Sequence, residues 1–471
     1  MFELHHLSAQ EQWDWMQRGE ITPTELATHY LGRIERYNES LGAFATVTAD
    51  AALERAAALE AAGRTAAPLW GIPLGDKDLA RRKGVRTTFG SRLFEQFVPE
   101  ESDEIVVALD DAGGVSLGKT TAPEFGLSSY TESLVAPAAR TPYDIALGAG
   151  GSSGGAAVAV AAGLLPVAPG SDGGGSVRIP AAACGLVGVK PGRGLVPSGT
   201  GLLSLGGLVT PGPLARSVAD AAMLLDAMVD SGPYPFAVRA PRWDGGALLN
   251  AAVRGEGRFQ LGVMTTSPWD DVADIRLAPE ARAALDLAIA ELSAIGHGID
   301  ELALEPSPEY PPNFTTLWQA GSAGIAAEGS DLDLLEPLTR WLVERGRALS
   351  ARQLAEALVA LTTFERSVIR QFSSFDAVLT PSLALTPRPV GWYDKEDPER
   401  NFEQQVLYTP FTSFVNVAGL PAITLPVYES PEGIPMGVQL IGRPGGEHVL
   451  FSIGAQLERR LNWQRRHPPQ W

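Results

Sequence analysis

The sequence predicts an α/β fold, in which strands and helices alternate along the chain. Between Leu69 and about Met228, apolar strand-like runs, helical segments and glycine turns follow one another, which is the order that an α/β core requires. The composition is 45% hydrophobic and 20% charged, as in globular proteins. The 471 residues can bury a large core, and a chain of this length usually divides into roughly two or three domains.

Residues 1–66 are predicted to form a helical region. The patterns Ser8-x-x-Glu11 and Thr22-Pro23-Thr24-Glu25 are capping boxes, and the second has proline at the first helical position. An alanine-rich helix follows from about Ala49 to Ala62, and Gly63 ends it.

The alternating region begins with buried strands. Strands are predicted over Leu69–Leu74 and Gly114–Gly118, with a helix over Asp103–Ala112 between them. We expect residues 67–229 to form the core of the fold.

The second half of the chain divides into two predicted parts. Residues 230–345 are less regular, with prolines clustered at 233–235 and 306–312. Residues 346–471 return to regular structure. A helix is predicted over Ala351–Ser373, with Ser350 and Gln353 as its capping box, and strands are predicted between Val378 and Leu440.

Charge and cysteine content exclude several classes of function. The net charge of −18 argues against nucleic acid or an anionic membrane as a partner. The single cysteine, Cys184, excludes an internal disulfide and a cysteine-rich metal site. Residues 1–6 lack a secretory pattern, and the longest uncharged stretches are rich in glycine, proline or serine, so we expect no membrane span and a cytoplasmic protein.

Two glycine-rich loops each carry a serine. The first is Gly150–Gly155, which contains Ser152, and the second is Asp172–Pro180, which contains Ser176. Glycines on both sides of a serine allow backbone N–H groups to turn towards whatever the hydroxyl attacks. Acyl transfer needs this combination of a nucleophile and an oxyanion hole.

A serine nucleophile also needs a base, and lysine is the better candidate. No histidine occurs between His29 and His297, although a distant histidine could still fold into place. Lys77 is one of five lysines and directly follows an apolar run. Lysine can act as a base when burial lowers its pKa, whereas arginine cannot lose its proton.

These motifs resemble the amidase signature family of Ser-cisSer-Lys amide hydrolases. The resemblance covers nearly the whole chain. It includes Lys77-Asp78, the Gly-Gly-Ser-Ser-Gly-Gly loop, the segment Ser171–Pro180 and the C-terminal segments 375–381, 419–422 and 437–444. The resemblance implies one large amidase signature domain over residues 1–471, built on a central mixed β-sheet with α-helices on both faces. In such a domain we expect the less regular residues 230–345 to form the variable, substrate-side region.

The resemblance also implies a set of site residues. Ser176 is the expected nucleophile, Ser152 follows a cis peptide bond and bridges to Lys77, and Lys77 is the general base. The remaining implied residues are the oxyanion-hole amides of Gly173, Gly174, Gly175 and Ser176, the supporting residues Ser153, Asp172 and Arg178, and the acyl-pocket segment of Gly126, Leu127, Ser128 and Ser129. No metal or cofactor is required, and a homodimer is ordinary for the family.

Two positions depart from the family pattern. The family more often has a larger residue at Gly173 and an uncharged residue at Asp76. Gly173 keeps its N–H but can widen the pocket. We expect Asp76 to point away from Lys77, because adjacent side chains on a strand point to opposite faces. We also interpret Ser153 as a cap of the helix that begins near Gly154.

Three other functions stay open at this level. Residues 113–120 match G-x-x-x-x-G-K-[ST], the nucleotide-binding P-loop pattern, but the apolar residues lie inside the motif and Pro123 follows it closely, which favours a strand. A glutamine-amidase subunit of a tRNA amidotransferase has the same fold, although it usually has glutamine where Ile179 precedes Pro180. A non-catalytic binding protein is the third reading. Ten tryptophans and sparsely charged loops favour an apolar or aryl acyl amide, a carbamate or a polyamide oligomer as substrate.

Overall fold

The computed structural model describes residues 3–196, 205–229 and 246–471. Its strands are β1 (Phe44–Val47), β2 (Pro73–Lys77), β3 (Val115–Thr120), β4 (Val167–Asp172), β5 (Val187–Lys190), β6 (Thr210–Ala215), β7 (Gln260–Val263), β8 (Gly298–Glu301), β9 (Ala377–Pro381), β10 (Ala422–Glu429) and β11 (Pro435–Gly442).

The helices precede, separate and follow these strands along the chain. They are α1 (Ala9–Arg18), α2 (Pro23–Leu41), α3 (Ala49–Ala62), α4 (Glu104–Asp111), α5 (Gly154–Ala161), α6 (Arg178–Ala183), α7 (Val218–Met228), α8 (Leu248–Arg254), α9 (Pro279–Ile295), α10 (Tyr310–Ser322), α11 (Pro337–Arg347), α12 (Ala351–Phe372), α13 (Pro398–Tyr408), α14 (Ser413–Val417) and α15 (Glu447–Leu461). Within the described ranges, no helix combines the length and apolar character that crossing a bilayer requires.

The central sheet is mixed, as predicted. Its eight strands run in the order β4-β6-β5-β10-β11-β9-β7-β8. β10 and β11 pair antiparallel, whereas β7 pairs parallel with both β8 and β9. Every residue of β5, β6, β9 and β11 is buried. Because successive strand residues face opposite sides, helices must cover both faces of this part of the sheet.

A second, smaller sheet carries part of the site. Its order is β1-β3-β2, with β2 and β3 parallel and β1 antiparallel to β3. β1 corrects the prediction that residues 1–66 are only helical, because this short strand forms by pairing with a distant partner. The three predicted capping boxes at Ser8, Thr22 and Ser350 are all present.

Several predicted boundaries were wrong. β2 begins at Pro73 rather than Leu69, because residues 68–71 form a turn in which Gly71 has a φ of +81°, outside the range of regular strand backbone. β3 runs over Val115–Thr120 rather than Gly114–Gly118, and α13 and α14 interrupt the region predicted as strands. The P-loop match does form a strand, as the sequence favours, and the side chain of Lys119 is fully buried. The predicted divisions at 66/67, 229/230 and 345/346 stay predictions, and residues 233–235 lie outside the described ranges.

Candidate active site

The end of β2 and the cis-serine loop bring Lys77 to Ser152. Lys77 Nζ lies 2.8 Å from Ser152 Oγ, and the peptide bond between Gly151 and Ser152 is cis. Both side chains are buried, at 4% and 2% exposure. The two residues are 75 positions apart in the chain, so their proximity results from the fold and not from local structure.

Ser171, at the end of β4, is a second partner of Lys77. Lys77 Nζ lies 3.1 Å from Ser171 Oγ and 3.2 Å from its carbonyl oxygen. Sequence reasoning placed Ser171 at the start of the nucleophile segment but gave it no role. The sequence signal for a role of Ser171 was its position directly before the second glycine-rich loop, which begins at Asp172.

The Lys77 amine lies in surroundings that favour its neutral form. Burial lowers the pKa of Lys77 from 10.5 to about 7, and the Asp172 carboxylate partly opposes this shift. Asp76 accepts hydrogen bonds from Arg82 and from Ser116 Oγ, so its charge is already paired. Arg82 and Ser116, rather than Lys77, hold the Asp76 carboxylate, in line with the expectation that this side chain points away from Lys77.

Ser176 lies just before α6 in a loop that Asp172 and Arg178 hold. Their side chains form a fully buried ion pair with a separation of 2.8 Å. The Asp172 carboxylate also accepts the N–H groups of Gly175 and Val177, at 2.8 and 3.1 Å. Burial raises the pKa of Asp172, but Arg178 more than offsets this and holds the pKa well below its usual 3.8.

A hydrogen bond from the Gly175 N–H removes one of the four donors predicted for the oxyanion hole. Because the Gly175 N–H donates to Asp172, it is not available to a ligand. The N–H groups of Gly173, Gly174 and Ser176 have no acceptor among the described residues and remain available. Gly175 has a φ of +130°, and a Cβ there would lie 2.4 Å from Thr412 Oγ1, so only glycine fits.

The C-terminal part of the chain completes this loop, and sequence reasoning missed it. Arg178 donates to the Thr412 carbonyl, to Asn416 Oδ1 and to Gln439 Oε1. Asn416 also donates to the carbonyl and carboxylate of Asp172. Gln439 belongs to a family-like segment, but nothing local in its sequence indicates a contact 261 residues away.

Ser153 does not cap α5, contrary to prediction. Its side chain makes no capping hydrogen bond. Its Oγ instead lies 3.3 Å from both the N and the O of Ser171, and its N–H donates to the Ser176 carbonyl at 3.1 Å. Ser153 therefore joins the cis-serine loop to β4 and to the loop that carries Ser176.

Two chambers meet at Ser176. The lysine-side chamber, about 200 Å³, is lined by Lys77, Ser152, Ser171 and Gly173 and by a wall of aliphatic side chains: Leu79, Ile105, Val106, Leu109, Leu205, Leu208, Leu317 and Ile325. The aromatic chamber, about 60 Å³, is lined by Gly174, Ile179, Trp269, Phe314, Phe402, Gln405, Val406, Thr409 and Ser413. Ser176, Gly126, Leu127 and Trp318 line both chambers, whereas Ser128 and Ser129 line only the aromatic one.

The chambers are almost without unpaired charge. Of the described residues that line them, the ionisable ones are Lys77, Asp76 and Asp103, all on the lysine side. Asp76 pairs with Arg82, and Asp103 pairs with Arg81 at 2.8 Å. The aromatic chamber has no ionisable residue among those described.

Side chains with metal-ligand spacing lie elsewhere. Among the described residues, Glu3, His5 and His29 form one such group, with ligand atoms within 4.8 Å of one another. His5 Nδ1 is hydrogen-bonded to His29 Nε2 at 3.1 Å. Burial and the nearby Arg33 lower the pKa of His5 to about 3. These residues line neither chamber.

Comparison with known proteins identifies the family. The model of the Amidase family matches residues 25–451. The putative amidase AmiB2 of Mycobacterium tuberculosis is 35% identical over 474 residues, covering 99% of this chain and 98% of the relative. A glutamyl-tRNA(Gln) amidotransferase subunit from a Roseiflexus species is 33% identical over 495 residues, covering 99% and 98%.

A solved structure agrees with this placement. 6-Aminohexanoate cyclic dimer hydrolase in complex with its substrate superposes with a TM-score of 0.90 at 29% identity, and the match covers 99% of this chain and all of that one. The chain belongs to the amidase signature family and is an enzyme of the amidase class, which hydrolyses amide carbon–nitrogen bonds.

Proposed function

We propose that this enzyme hydrolyses an uncharged, apolar amide through an acyl-enzyme on Ser176, with Ser152 and Lys77 as its proton relay. The observation that carries the proposal is the 2.8 Å contact between Lys77 Nζ and Ser152 Oγ in a chamber that Ser176 also lines. An aryl or acyl amide, a carbamate or a short polyamide oligomer without charged ends meets this description. The cytoplasmic setting and a homodimer stay predictions.

The contacts of Lys77 suit a neutral amine. A neutral lysine has two N–H donors and one lone pair. The Ser171 carbonyl must accept one hydrogen and Ser171 Oγ can accept the other. The lone pair of Lys77 is then directed at Ser152, whose hydroxyl donates to it. In this state Ser152 Oγ can accept a proton from Ser176 as its own proton passes to Lys77.

Acyl transfer proceeds in two halves. Ser176 Oγ bonds to the amide carbon while its proton passes to Ser152 and the Ser152 proton passes to Lys77. The N–H groups of Gly173, Gly174 and Ser176 stabilise the oxyanion, each by about 3 kcal/mol. The C–N bond breaks as the amine nitrogen receives a proton back through Ser152. Water then attacks the ester by the same relay, which releases the acid and restores Ser176.

The glutamine-amidase alternative fits the chambers less well. The acyl part of glutamine carries an α-ammonium and an α-carboxylate, and both need charged partners when they are buried. The described lining residues offer no unpaired charge other than Lys77. The isolated chain should therefore hydrolyse simple apolar amides, with no gain from added amidotransferase subunits.

The test is covalent labelling of the whole chain with a fluorophosphonate, read by intact mass and peptide mapping. We expect one adduct on Ser176, none on Ser176→Ala and much slower labelling of Lys77→Met. Lys83→Met is the matched control, because Lys83 is an exposed lysine in the same region. If folded protein takes up no label, or labels equally fast without Lys77, the proposal fails.

A further inference from the structure

The two chambers differ in the groups that face them, and this fixes the direction of a bound amide. Lys77 and Ser152 line the lysine-side chamber and do not line the aromatic one. When the C–N bond breaks, the nitrogen must receive a proton, and the proposed donor is Ser152. The nitrogen and its substituent therefore lie on the lysine side of Ser176.

The acyl group must then lie on the other side. Of the three residues whose N–H groups are available, Gly173 lines the lysine-side chamber, Gly174 lines the aromatic chamber and Ser176 lines both, so an amide oxygen bound by these groups sits between the two spaces. With nitrogen towards Lys77 and oxygen at these amides, the remaining substituent of the carbonyl carbon points into the aromatic chamber.

The walls of the two chambers suit different groups. The aromatic chamber is the smaller, about 60 Å³ against about 200 Å³. Trp269 meets Phe314 edge-on, with ring centroids 5.6 Å apart, and Phe314 stacks on Trp318 at 5.7 Å. Such rings favour a compact planar group, whereas the lysine-side wall, which is mainly aliphatic with Phe125 and Trp318 among its lining residues, accepts a longer flexible one.

We propose that the aromatic chamber binds the acyl group and the lysine-side chamber binds the amine, so that the preferred substrate joins a compact, planar acid to a longer apolar amine. This inference rests on the proposed function of Ser176, Ser152 and Lys77. Residues of the chamber walls, outside the Ser176, Ser152 and Lys77 relay, then determine which substrates the site prefers.

Gly321 provides the first test, on the amine side. It lines the lysine-side chamber at the exposed end of α10, and a Cβ added there meets no atom within 4 Å. Gly321→Leu should lower kcat/KM for N-octylbenzamide by about tenfold and change that for N-methylbenzamide by less than about twofold. Gly324→Leu is the matched control, because that glycine also has open space but lines neither chamber.

Phe402 provides the second test, on the acyl side. It lines only the aromatic chamber and is half-buried on α13. Phe402→Ala should favour a larger acyl group. For a naphthoyl and a benzoyl amide of the same amine, the ratio of kcat/KM for the naphthoyl substrate to kcat/KM for the benzoyl substrate should rise about tenfold. The dependence on amine length should stay as in the wild-type enzyme. Intrinsic reactivity cancels, because each variant is compared with the wild type on the same substrate.

The outcomes separate the two proposals. If Gly321→Leu changes acyl preference and Phe402→Ala changes amine preference, the direction of binding is the reverse of the one inferred. If both variants retain wild-type preferences on a hydrolysed series, the chamber assignment is wrong. In either case fluorophosphonate labelling of Ser176 still supports the acyl-enzyme, whereas loss of labelling in the wild-type protein overturns the proposed function itself.

Discussion

The protonation state of Lys77 should control the rate at which Ser176 reacts. Burial sets the pKa of Lys77 at about 7. The neutral fraction of such a group is about 1% at pH 5, about 9% at pH 6 and about 91% at pH 8. Since only the neutral amine can accept the proton, kcat/KM should rise about 90-fold from pH 5 to pH 8 and then level off.

The assay is the second-order rate of fluorophosphonate labelling between pH 5 and pH 9, with kcat/KM for an apolar amide measured in parallel. Labelling isolates the attack of Ser176, so an inflection near 7 in both profiles belongs to the free enzyme.

A second buried lysine makes a control necessary. Burial also lowers the pKa of Lys190 to about 7, and its Nζ donates to the Pro191 carbonyl at 2.9 Å. Lys190 lines neither chamber, so Lys190→Met should keep the inflection. A flat wild-type profile, an inflection near the 10.5 of an ordinary lysine, or loss of the inflection in Lys190→Met would show that Lys77 is not the group that accepts the proton.

The other predictions concern stability. Asp172→Asn should lower the free energy of unfolding by about 3–5 kcal/mol, because it leaves the charge of the buried Arg178 unpaired. Since the pKa of Asp172 is depressed in the folded protein, the wild type should lose this stabilisation only as the pH falls below 3.8. Urea denaturation at a series of pH values measures both effects. Lys77→Met should reduce kcat/KM by at least about a thousandfold. It should also raise the calorimetric melting temperature, because burial destabilises the charged form of the Lys77 amine that the substitution removes. A lowered melting temperature would contradict this account. Gly155→Ala should destabilise by about 2 kcal/mol or more, because its Cβ would lie 2.3 Å from a backbone nitrogen, whereas Gly32→Ala, in an exposed helix position with open space, should stabilise by up to about 1 kcal/mol in the same denaturation assay.

Features encoded by neighbouring residues were predictable from the sequence. The capping boxes at Ser8, Thr22 and Ser350 were confirmed, since a cap involves residues three positions apart. The α/β class and the family were confirmed as well. β1 was missed because its pairing with β3 depends on a partner more than 70 residues away in the chain.

The candidate site was also predictable only where neighbouring residues encode it. The motifs indicated Lys77, Ser152 and Ser176, and the structure places Lys77 against Ser152 in a chamber that Ser176 lines. The hydrogen bond that occupies the Gly175 N–H could not be read from the glycine pattern, because it depends on how Asp172 is oriented. The chamber walls come from α4, α10 and α13, and no local pattern shows that these helices converge.

The contacts between Arg178 and the C-terminal part of the chain affect when activity can appear during synthesis. Thr412, Asn416 and Gln439 reach the ribosome exit long after Lys77 and both serines have emerged. Until they arrive, the ion pair of Arg178 and Asp172 lacks the C-terminal groups that complete its hydrogen bonding. A nascent chain that ends before Thr412 therefore contains every proposed catalytic residue but lacks the contacts that complete the Ser176 loop, and we expect hydrolysis only after Thr412, Asn416 and Gln439 have folded into place.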